Sequence, residues 1–220
     1  MSHDHATHRH FVPALGSAWL TPFYDLVSWL LGEQAIKRDL VRQASIAADA
    51  DVLDLGCGTG TLALIVKDAQ PRARVTGLDI DPEILAIARG KIDAAGAQIQ
   101  LVQGSATDPP LPPASFDRVL STLMLHHLTT PQKREALAAV RRLLRPGGEL
   151  HIADWGKPQN ALMQVASLSF RWFDGAETTG ANLRGELPAL IAEAGFSDVR
   201  ETEHRMTPLG TLSYLRARSA

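Results

Sequence analysis

The fold of this 220-residue chain is decided by the stretch Val52-Leu53-Asp54-Leu55-Gly56-Cys57-Gly58-Thr59-Gly60. Its apolar start predicts a buried strand that carries one carboxylate, Asp54. Three alternating glycines then predict a tight turn, because glycine accepts positive φ and lets a ligand approach the backbone closely. The apolar residues 61–66 predict a helix that begins at this turn. In such a strand, turn and helix N-terminus, backbone N–H groups face a bound nucleotide or nucleoside.

The spacing of the glycines separates two kinds of nucleoside site. A dinucleotide turn has the pattern G-x-G-x-x-G or G-x-G-x-x-A, with a pyrophosphate at the helix N-terminus. Here the pattern is G-x-G-x-G, and Thr61 stands where the third glycine is expected. Asp54 would also repel a pyrophosphate, and no lysine or arginine lies between Asp49 and Val66 to attract one. The turn therefore favours a positively charged nucleoside, of which S-adenosylmethionine is the common one.

Four motifs, in order along residues 50–155, resemble those of class I S-adenosylmethionine-dependent methyltransferases. They are DLGCGTG at 54–60, VTGLD at 75–79, SFDRVL at 115–120 with LHHL at 125–128, and LLRPGGEL at 143–150. The chain is similar to the broad group that includes ubiquinone/menaquinone-pathway C-methyltransferases and phospholipid N-methyltransferases. The resemblance implies transfer of a methyl group from S-adenosylmethionine to an acceptor by in-line displacement, with S-adenosylhomocysteine as the product.

The resemblance also implies a Rossmann-like α/β fold, a three-layer sandwich around a seven-stranded sheet. That sheet is mainly parallel, and its last strand is antiparallel. The residue pattern independently predicts an alternation of strands and helices from residue 52 onward, which is typical of a parallel sheet. Further predicted elements are a helix from Asp81 to about residue 96, strands at 99–102, 116–122 and 148–154, a helix at 187–194, and closing strands at 197–203 and 211–218.

Length and composition predict one domain. Hydrophobic residues make up 45% of the chain, which is enough for a sizeable core. Residues 1–10 form a polar, histidine-rich stretch that we expect to be a disordered tail. We expect a single methyltransferase domain over residues 11–220, with a helical N-terminal cap at 11–48 and a lid insertion at 156–182.

Charge and cysteine content argue against several classes of partner. The net charge is −2 and the pI about 6.4, so no basic field attracts nucleic acid, and there is no Asn-Pro-Pro-Tyr motif of nucleic-acid amino-methylases. The single cysteine, Cys57, excludes an internal disulfide and fits a reducing compartment. Residues 1–10 lack an apolar core, so we expect no signal peptide, and no apolar run approaches the ~20 residues that span a bilayer. We expect a soluble, cytoplasmic protein without a metal.

The resemblance implies positions for the cofactor. Asp54, Gly56, Gly58 and Gly60 would approach the methionine moiety, Asp79 would bind the ribose hydroxyls, and Ile80 would pack on the adenine. The family's Gly-Asp-Ala triplet after the third strand is Gly104-Ser105-Ala106 here, so Ser105 would accept the hydrogen bond from adenine that the acid accepts elsewhere. Tyr24 and Arg38, in the N-terminal helices, are candidates for the cofactor carboxylate, with packing or surface roles as the alternative.

The expected acceptor site lies at the same sheet edge. His126 and His127 follow the fourth strand, and either ring could take a proton from an acceptor, because histidine titrates near neutral pH. The alternative is a loop that packs without moving protons. Aromatic residues avoid the sheet core, where only Phe116 occurs between Leu30 and Asp154, and gather in the segments expected to cover this edge. We expect a small, partly apolar or aromatic acceptor, lined by Trp19, Trp155 and Trp172.

Two other functions fit part of the sequence. A non-catalytic module that binds S-adenosylmethionine would keep the same glycines and Asp79. A nicotinamide-dependent oxidoreductase of the Rossmann type is disfavoured by Thr61 and Asp54. The sequence alone leaves open the acceptor, the methylated atom (O, N, C or S), the oligomeric state and the pathway.

Overall fold

A computed structural model describes residues 32–165, 167 and 176–220 of the chain. The predicted tail at 1–10, most of the predicted cap, and Trp19, Tyr24 and Trp172 lie outside the described residues. The elements, in order, are α1 (Glu33–Ala44), β1 (Asp51–Leu55), α2 (Thr61–Ala69), β2 (Arg74–Asp79), α3 (Pro82–Ala94), β3 (Ile99–Gln103), β4 (Phe116–Thr122), a 3₁₀ turn (Leu125–His127), α4 (Thr130–Leu143), β5 (Leu144–Trp155), α5 (Ala176–Leu183), α6 (Leu187–Glu193), β6 (Phe196–Thr207) and β7 (Gly210–Ser219).

The strands form one seven-stranded sheet in the order β3-β2-β1-β4-β5-β7-β6. The pairs β1–β2, β1–β4, β2–β3 and β4–β5 are parallel, whereas β7 runs antiparallel to both of its neighbours, β5 and β6. The predicted fold, a mainly parallel seven-stranded sheet with an antiparallel last strand, is confirmed. Because β1, β2, β4 and β5 share one direction, their carboxyl ends meet at one edge of the sheet.

Local sequence signals place the helices. The Asp81 side chain caps α3 by accepting hydrogen bonds from the amides of Glu83 and Ile84, and Pro82 follows as the first helical residue. Thr129 and Gln132 form a reciprocal capping box at the start of α4. In α1, the buried residues Ile36, Leu40 and Ala44 recur at helical spacing and form the apolar face of the helix. These caps fix the first residues of the two helices that lead away from the carboxyl edge of the sheet.

Two apolar clusters cover the two faces of the sheet. One joins α1 and α2 to residues such as Val52, Leu120 and Tyr214, and the other joins α4 and α6 to residues such as Leu53 and Ile152. Leu53, which is 0% exposed, contributes roughly 1.5–3 kcal/mol by its burial. The packing on both faces makes the sheet a rigid support for the residues at its carboxyl edge.

Three details differ from the sequence-based expectations or complete them. Strand β5 begins at Leu144 instead of Gly148, because α4 passes directly into it. Arg141 and Arg142, at the end of α4, donate to the backbone carbonyls of Gly195 and Leu111, at 3.3 and 3.0 Å, and so fasten neighbouring segments to the helix end. Within the described part of the chain, no helix is long and apolar enough to cross a membrane.

Candidate functional site

The glycine turn between β1 and α2 has the open backbone that its sequence predicted. Gly56 and Gly58 have φ of +73° and +52°, a region in which only glycine is unstrained. A Cβ on Gly56 would lie 2.3 Å from Cγ of Met124, so this position also needs a residue without a side chain. Among the described residues beyond its two chain neighbours, no atom lies within 4 Å of a Cβ built on Gly58, so these residues leave space for a ligand there.

Asp79, the last residue of β2, is tied to the glycine turn. One carboxylate oxygen accepts from the amide of Gly58 at 2.8 Å, and the other accepts from the amide of Asp81 at 3.1 Å. An ionised carboxylate offers about four acceptor positions, so each oxygen can accept one more hydrogen bond. The geometry thus leaves Asp79 able to accept from two neighbouring hydroxyls, as the ribose of the cofactor requires.

Asp54, in β1 directly below the turn, is a buried carboxylate that lacks a full set of partners. It is 1% exposed, and its Oδ2 atom has no hydrogen-bond partner among the described residues. Burial raises the pKa of Asp54 to about 7; the charge of Lys37 and the amide of Ala63 oppose this, and the charge of Asp79 adds to it. Such a carboxylate gains a partner when a cation arrives.

Lys37 and Arg38 occupy opposite environments on α1. Arg38 is exposed, and it donates to Oε1 of Gln34, one turn earlier on the same helix, at 3.3 Å. Lys37 is 9% exposed, forms an ion pair with Glu33 at 2.5 Å, and acts electrostatically on Asp54 and Cys57. Lys37 is therefore a buried cation that acts on Asp54, whereas Arg38, the predicted ligand of the cofactor carboxylate, lies on an exposed face of the same helix.

The residues predicted around the adenine lie after β2 and β3. Ile80 follows Asp79 and is 44% exposed, which is unusual for such a large apolar side chain. The amide of Gly104 donates to the carbonyl of Asp79 at 2.9 Å, which brings the 104–106 triplet next to the acid predicted to bind the ribose. Oγ of Ser105 lies 2.8 Å from Oγ1 of Thr107 and accepts from the Thr107 amide at 3.2 Å. One further hydrogen bond from a ligand fits its capacity, while Ala106 packs against the core.

Cys57 lies within the turn but offers no nucleophile. It is 4% exposed, and burial, with the charges of Asp54 and Asp79, raises the pKa of its thiol far above the ordinary value. The thiol therefore stays protonated at neutral pH.

His126 is joined to Asp154 at the ends of the neighbouring strands β4 and β5. Its Nδ1 lies 2.8 Å from Oδ1 of Asp154, and its backbone amide donates to Oδ2 at 3.3 Å. Burial alone would raise the pKa of Asp154, but the charge and the hydrogen bond of His126 outweigh it and lower the pKa. Because an ionised carboxylate only accepts, Nδ1 carries the proton in the neutral form of the imidazole, and the lone pair of that form is on Nε2. A buried carboxylate thus holds the imidazole in one orientation, as carboxylates do for histidines that act as general bases.

His127 and Trp155 flank His126 on different sides. The ring of His127 lies 4.0 Å from that of His126, centroid to centroid, and His127 is exposed whereas His126 is buried. The ring of Trp155 meets His126 edge-on at 6.4 Å, and Trp155 is 7% exposed. Of the three tryptophans predicted to line the acceptor pocket, Trp155 alone lies among the described residues, and it adjoins His126.

Two buried lysines near this edge escaped the sequence analysis. Lys37 faces Asp54, and Lys133 of α4 donates from Nζ to the carbonyls of Leu128 and, at 2.6 Å, Thr178. Each lies on the apolar stripe of its helix, three or four residues before buried Leu40 or Leu137. A lysine within an apolar stripe was the available signal, because a solvated lysine is expected on the polar face.

The residues present fit S-adenosylmethionine. The open face of Gly58, the spare acceptor positions of Asp79, the exposed Ile80 and the unpaired Oδ2 of Asp54 suit a nucleoside that carries positive charge. Together with the sheet order, they define an α/β fold suited to a nucleoside whose positive charge would lie near Asp54. A dinucleotide fits less well, because the buried carboxylate of Asp54 lies directly below the turn that would hold its pyrophosphate.

Comparison with known proteins places the chain among methyltransferases. Residues 52–148 match the family model described as "Methyltransferase domain". The chain is 32% identical over 201 residues to an uncharacterized methyltransferase of Synechocystis, covering 89% of this chain and 91% of the relative. It is 31% identical to the ubiquinone/menaquinone biosynthesis C-methyltransferase UbiE of Pseudomonas putida, covering 84% of this chain and 80% of that protein.

The fold is shared with solved methyltransferase structures. One is phosphoethanolamine N-methyltransferase 2 of Haemonchus contortus in complex with S-adenosylmethionine, with a TM-score of 0.64 and 21% identity over 77% of this chain and 38% of that chain.

The chain belongs to the class I S-adenosylmethionine-dependent methyltransferases of the ubiquinone/menaquinone type. Its cofactor is S-adenosylmethionine, and the comparisons favour neither the nicotinamide oxidoreductase nor the non-catalytic module.

Proposed function

We propose that this methyltransferase acts on a small, partly apolar acceptor with an acidic ring hydroxyl, of the hydroquinone type, and that His126 is its general base. The observation that carries the proposal is the 2.8 Å contact between His126 Nδ1 and Asp154, which leaves Nε2 as the basic nitrogen. The name of the Pseudomonas putida relative, a quinone-biosynthesis C-methyltransferase, supports the ring chemistry of the acceptor.

The cofactor's parts have proposed partners in this chain. Asp79 would bind the ribose hydroxyls, Ile80 would cover the adenine, and Ser105 and Ala106 would border the adenine edge. The turn of Gly56, Gly58 and Gly60, with Asp54 and Lys37, would hold the amino-acid end, where Asp54 suits the ammonium and Lys37 the carboxylate. When bound, S-adenosylmethionine supplies an activated methyl group on a positively charged sulfur.

The protein's own task at the acceptor is to orient it and to remove a proton. A ring carbon becomes nucleophilic when a neighbouring hydroxyl ionises, and Nε2 of His126 would accept that proton. After methylation the ring carbon would lose its own proton and the ring oxygen would be reprotonated, so that one proton is released for each methyl group transferred. Asp154 would then stabilise the imidazolium, since its carboxylate already accepts from Nδ1. Trp155 would line the ring's pocket beside His126, as its edge-on contact supports. Of the two candidate histidines, His126 is the proposed base, because the Asp154 carboxylate forms its hydrogen bond with the ring of His126.

The test of the acceptor class uses purified protein, methyl-labelled S-adenosylmethionine and a matched pair of ring compounds. One is a reduced, methyl-deficient naphthohydroquinone, and the other is its dimethyl ether, which has the same ring but no acidic hydroxyl. We expect label in the first compound only. Transfer to both compounds would contradict base-assisted chemistry, and transfer to neither would contradict the acceptor class.

The test of the base compares His126→Asn with His127→Asn on the accepted compound. Loss of a general base lowers the rate by typically 10²–10⁴-fold, so we expect a loss of that size for His126→Asn and less than threefold for His127→Asn. The Kd for S-adenosylhomocysteine should stay within twofold in both variants, because neither ring is placed at the cofactor. Equal losses in the two variants, or full activity of His126→Asn, would refute the assignment.

The location in the cytoplasm and the lack of nucleic-acid substrates remain predictions.

A further inference from the structure

We propose that Lys133 is a positioning residue that holds the turn bearing His126 in place and supplies a buried cation beside Asp154. This inference rests on the proposed role of His126 as the base. The geometry that carries it is the pair of hydrogen bonds from Lys133 Nζ to the carbonyls of Leu128 and Thr178.

The turn needs such support, because its entry is strained. Leu123, between β4 and the 3₁₀ turn, has φ of +51°, a left-handed conformation that is rare for a bulky side chain. Strain of this kind costs of order 1–3 kcal/mol and persists only where the surroundings fix it. Asp154 holds the start of the turn through the amide and ring of His126, and Lys133 holds its end through Leu128.

Lys133 also joins the turn to α5. Its second acceptor, the carbonyl of Thr178, lies in the first half of that helix, at 2.6 Å. Asn182, further along α5, donates to the carbonyl of Trp155 at 3.1 Å. The helix is therefore held at two points: by Lys133, which also holds the end of the turn, and by the backbone of Trp155, whose ring lies edge-on to that of His126.

A charged amine is a costly choice at a position that is 0% exposed. Burial lowers the pKa of Lys133 to about 8, although the charge of Asp154 opposes the shift. At pH 7 the amine is therefore still mainly an ammonium ion. Among the described residues, Asp154 from β5 interacts electrostatically with Lys133 from α4 and with both histidines of the turn. Loss of the ammonium charge would leave the negative charge of Asp154 less balanced, and protonation of the His126 imidazole would then be easier.

The experiment compares Lys133→Met with Lys133→Gln and with a matched control, Lys67→Met. Methionine keeps the length of the side chain but loses the donors and the charge, whereas glutamine keeps an N–H donor. Lys67 also donates to two backbone carbonyls, those of Pro71 and Ala73 at 2.6 and 2.9 Å, but it lies at the end of α2, away from the site edge. Thermal unfolding first establishes that each variant is folded.

We expect Lys133→Met to lower kcat/KM for the acceptor tenfold to a hundredfold, the size of effect that small misplacements of catalytic groups produce. The Kd for S-adenosylhomocysteine should stay within twofold, and the acid limb of the pH–rate profile should move to higher pH. Lys133→Gln should recover part of the rate but not the acid limb, and Lys67→Met should change neither.

Two results would overturn the inference: wild-type kinetics in folded Lys133→Met, or a lower rate with an unmoved acid limb. The inference and the proposed function fail separately. If His126→Asn is fully active, the proposed base is refuted, whatever Lys133→Met shows. If His126→Asn is inactive while Lys133→Met is fully active, only the positioning role of Lys133 is refuted.

Discussion

Replacement of Asp54 by asparagine should stabilise the cofactor-free protein at alkaline pH while it weakens cofactor binding. Asp54 is 1% exposed, its Oδ2 has no partner among the described residues, and burial raises its pKa to about 7. The carboxylate is therefore neutral in the folded protein at pH 5 but charged at pH 8.5. Asparagine has nearly the same shape and never acquires the charge.

The size of the effect follows from the pKa. A rise from 3.8 to about 7 corresponds to roughly 4 kcal/mol, because one pKa unit equals 1.36 kcal/mol. Since the folded protein binds this proton more tightly than the unfolded chain, the free energy of unfolding falls as pH rises through this range. Wild type has lost this contribution to its stability completely above pH 7. The free energy of unfolding of Asp54→Asn, relative to that of wild type, should therefore rise by up to about 4 kcal/mol between pH 4 and pH 8.5.

The assay is urea unfolding of the cofactor-free proteins at pH 5, 7 and 8.5, with the free energy of unfolding obtained by linear extrapolation. Asp68→Asn is the control, because it removes one negative charge from an exposed position on α2. We expect the advantage of Asp54→Asn over wild type to grow with pH, and that of Asp68→Asn to stay nearly constant. A pH-independent difference for Asp54→Asn would refute the assignment of a buried, proton-binding carboxylate.

Three further predictions concern the cofactor site and the fold. Asp79→Ala should weaken S-adenosylhomocysteine binding at least tenfold in calorimetric titration, since two hydroxyls lose their acceptor, and unchanged binding would move the ribose site elsewhere. Lys37→Met should raise the Kd for S-adenosylhomocysteine about tenfold, whereas Arg38→Met should not, because Lys37 is buried and acts electrostatically on Asp54 while Arg38 is exposed; the reverse order would favour Arg38 as the carboxylate ligand. Gly90→Ala, in α3, should raise the free energy of unfolding by about 0.5–1 kcal/mol, because the described residues leave open space for its Cβ. Gly58→Ala should lower the free energy of unfolding, because Gly58 has φ of +52°. A higher free energy of unfolding in both variants would argue against the left-handed turn.

The sequence predicted the fold well because its signals are local. The apolar run before Gly56, and the acid and proline at the start of α3, each act within a few residues. The exact start of β5 was missed, because a helix that passes directly into a strand leaves no turn signal between them.

The site was predicted only as far as chain order allows. Parallel strands bring Asp54, Asp79 and the histidine pair to one edge, so their neighbourhood follows from the motif order. The choice between His126 and His127 depends on Asp154, which lies 28 residues away in sequence, and no pattern within the turn distinguishes the two rings. The choice between Lys37 and Arg38 depends on a rotation of α1 by a single residue. Contacts of this kind are set by tertiary packing.

The most direct test of the central claim, a small-molecule methyltransferase with His126 as base, is transfer of label from methyl-labelled S-adenosylmethionine into an extract of the cells that make the protein. The extract is then separated into organic-soluble, aqueous small-molecule and macromolecular fractions, with His126→Asn run in parallel. We predict label in the organic-soluble fraction with the wild-type protein, reduced at least a hundredfold with His126→Asn. Label confined to macromolecules, or no transfer by a protein that still binds S-adenosylhomocysteine, would contradict it.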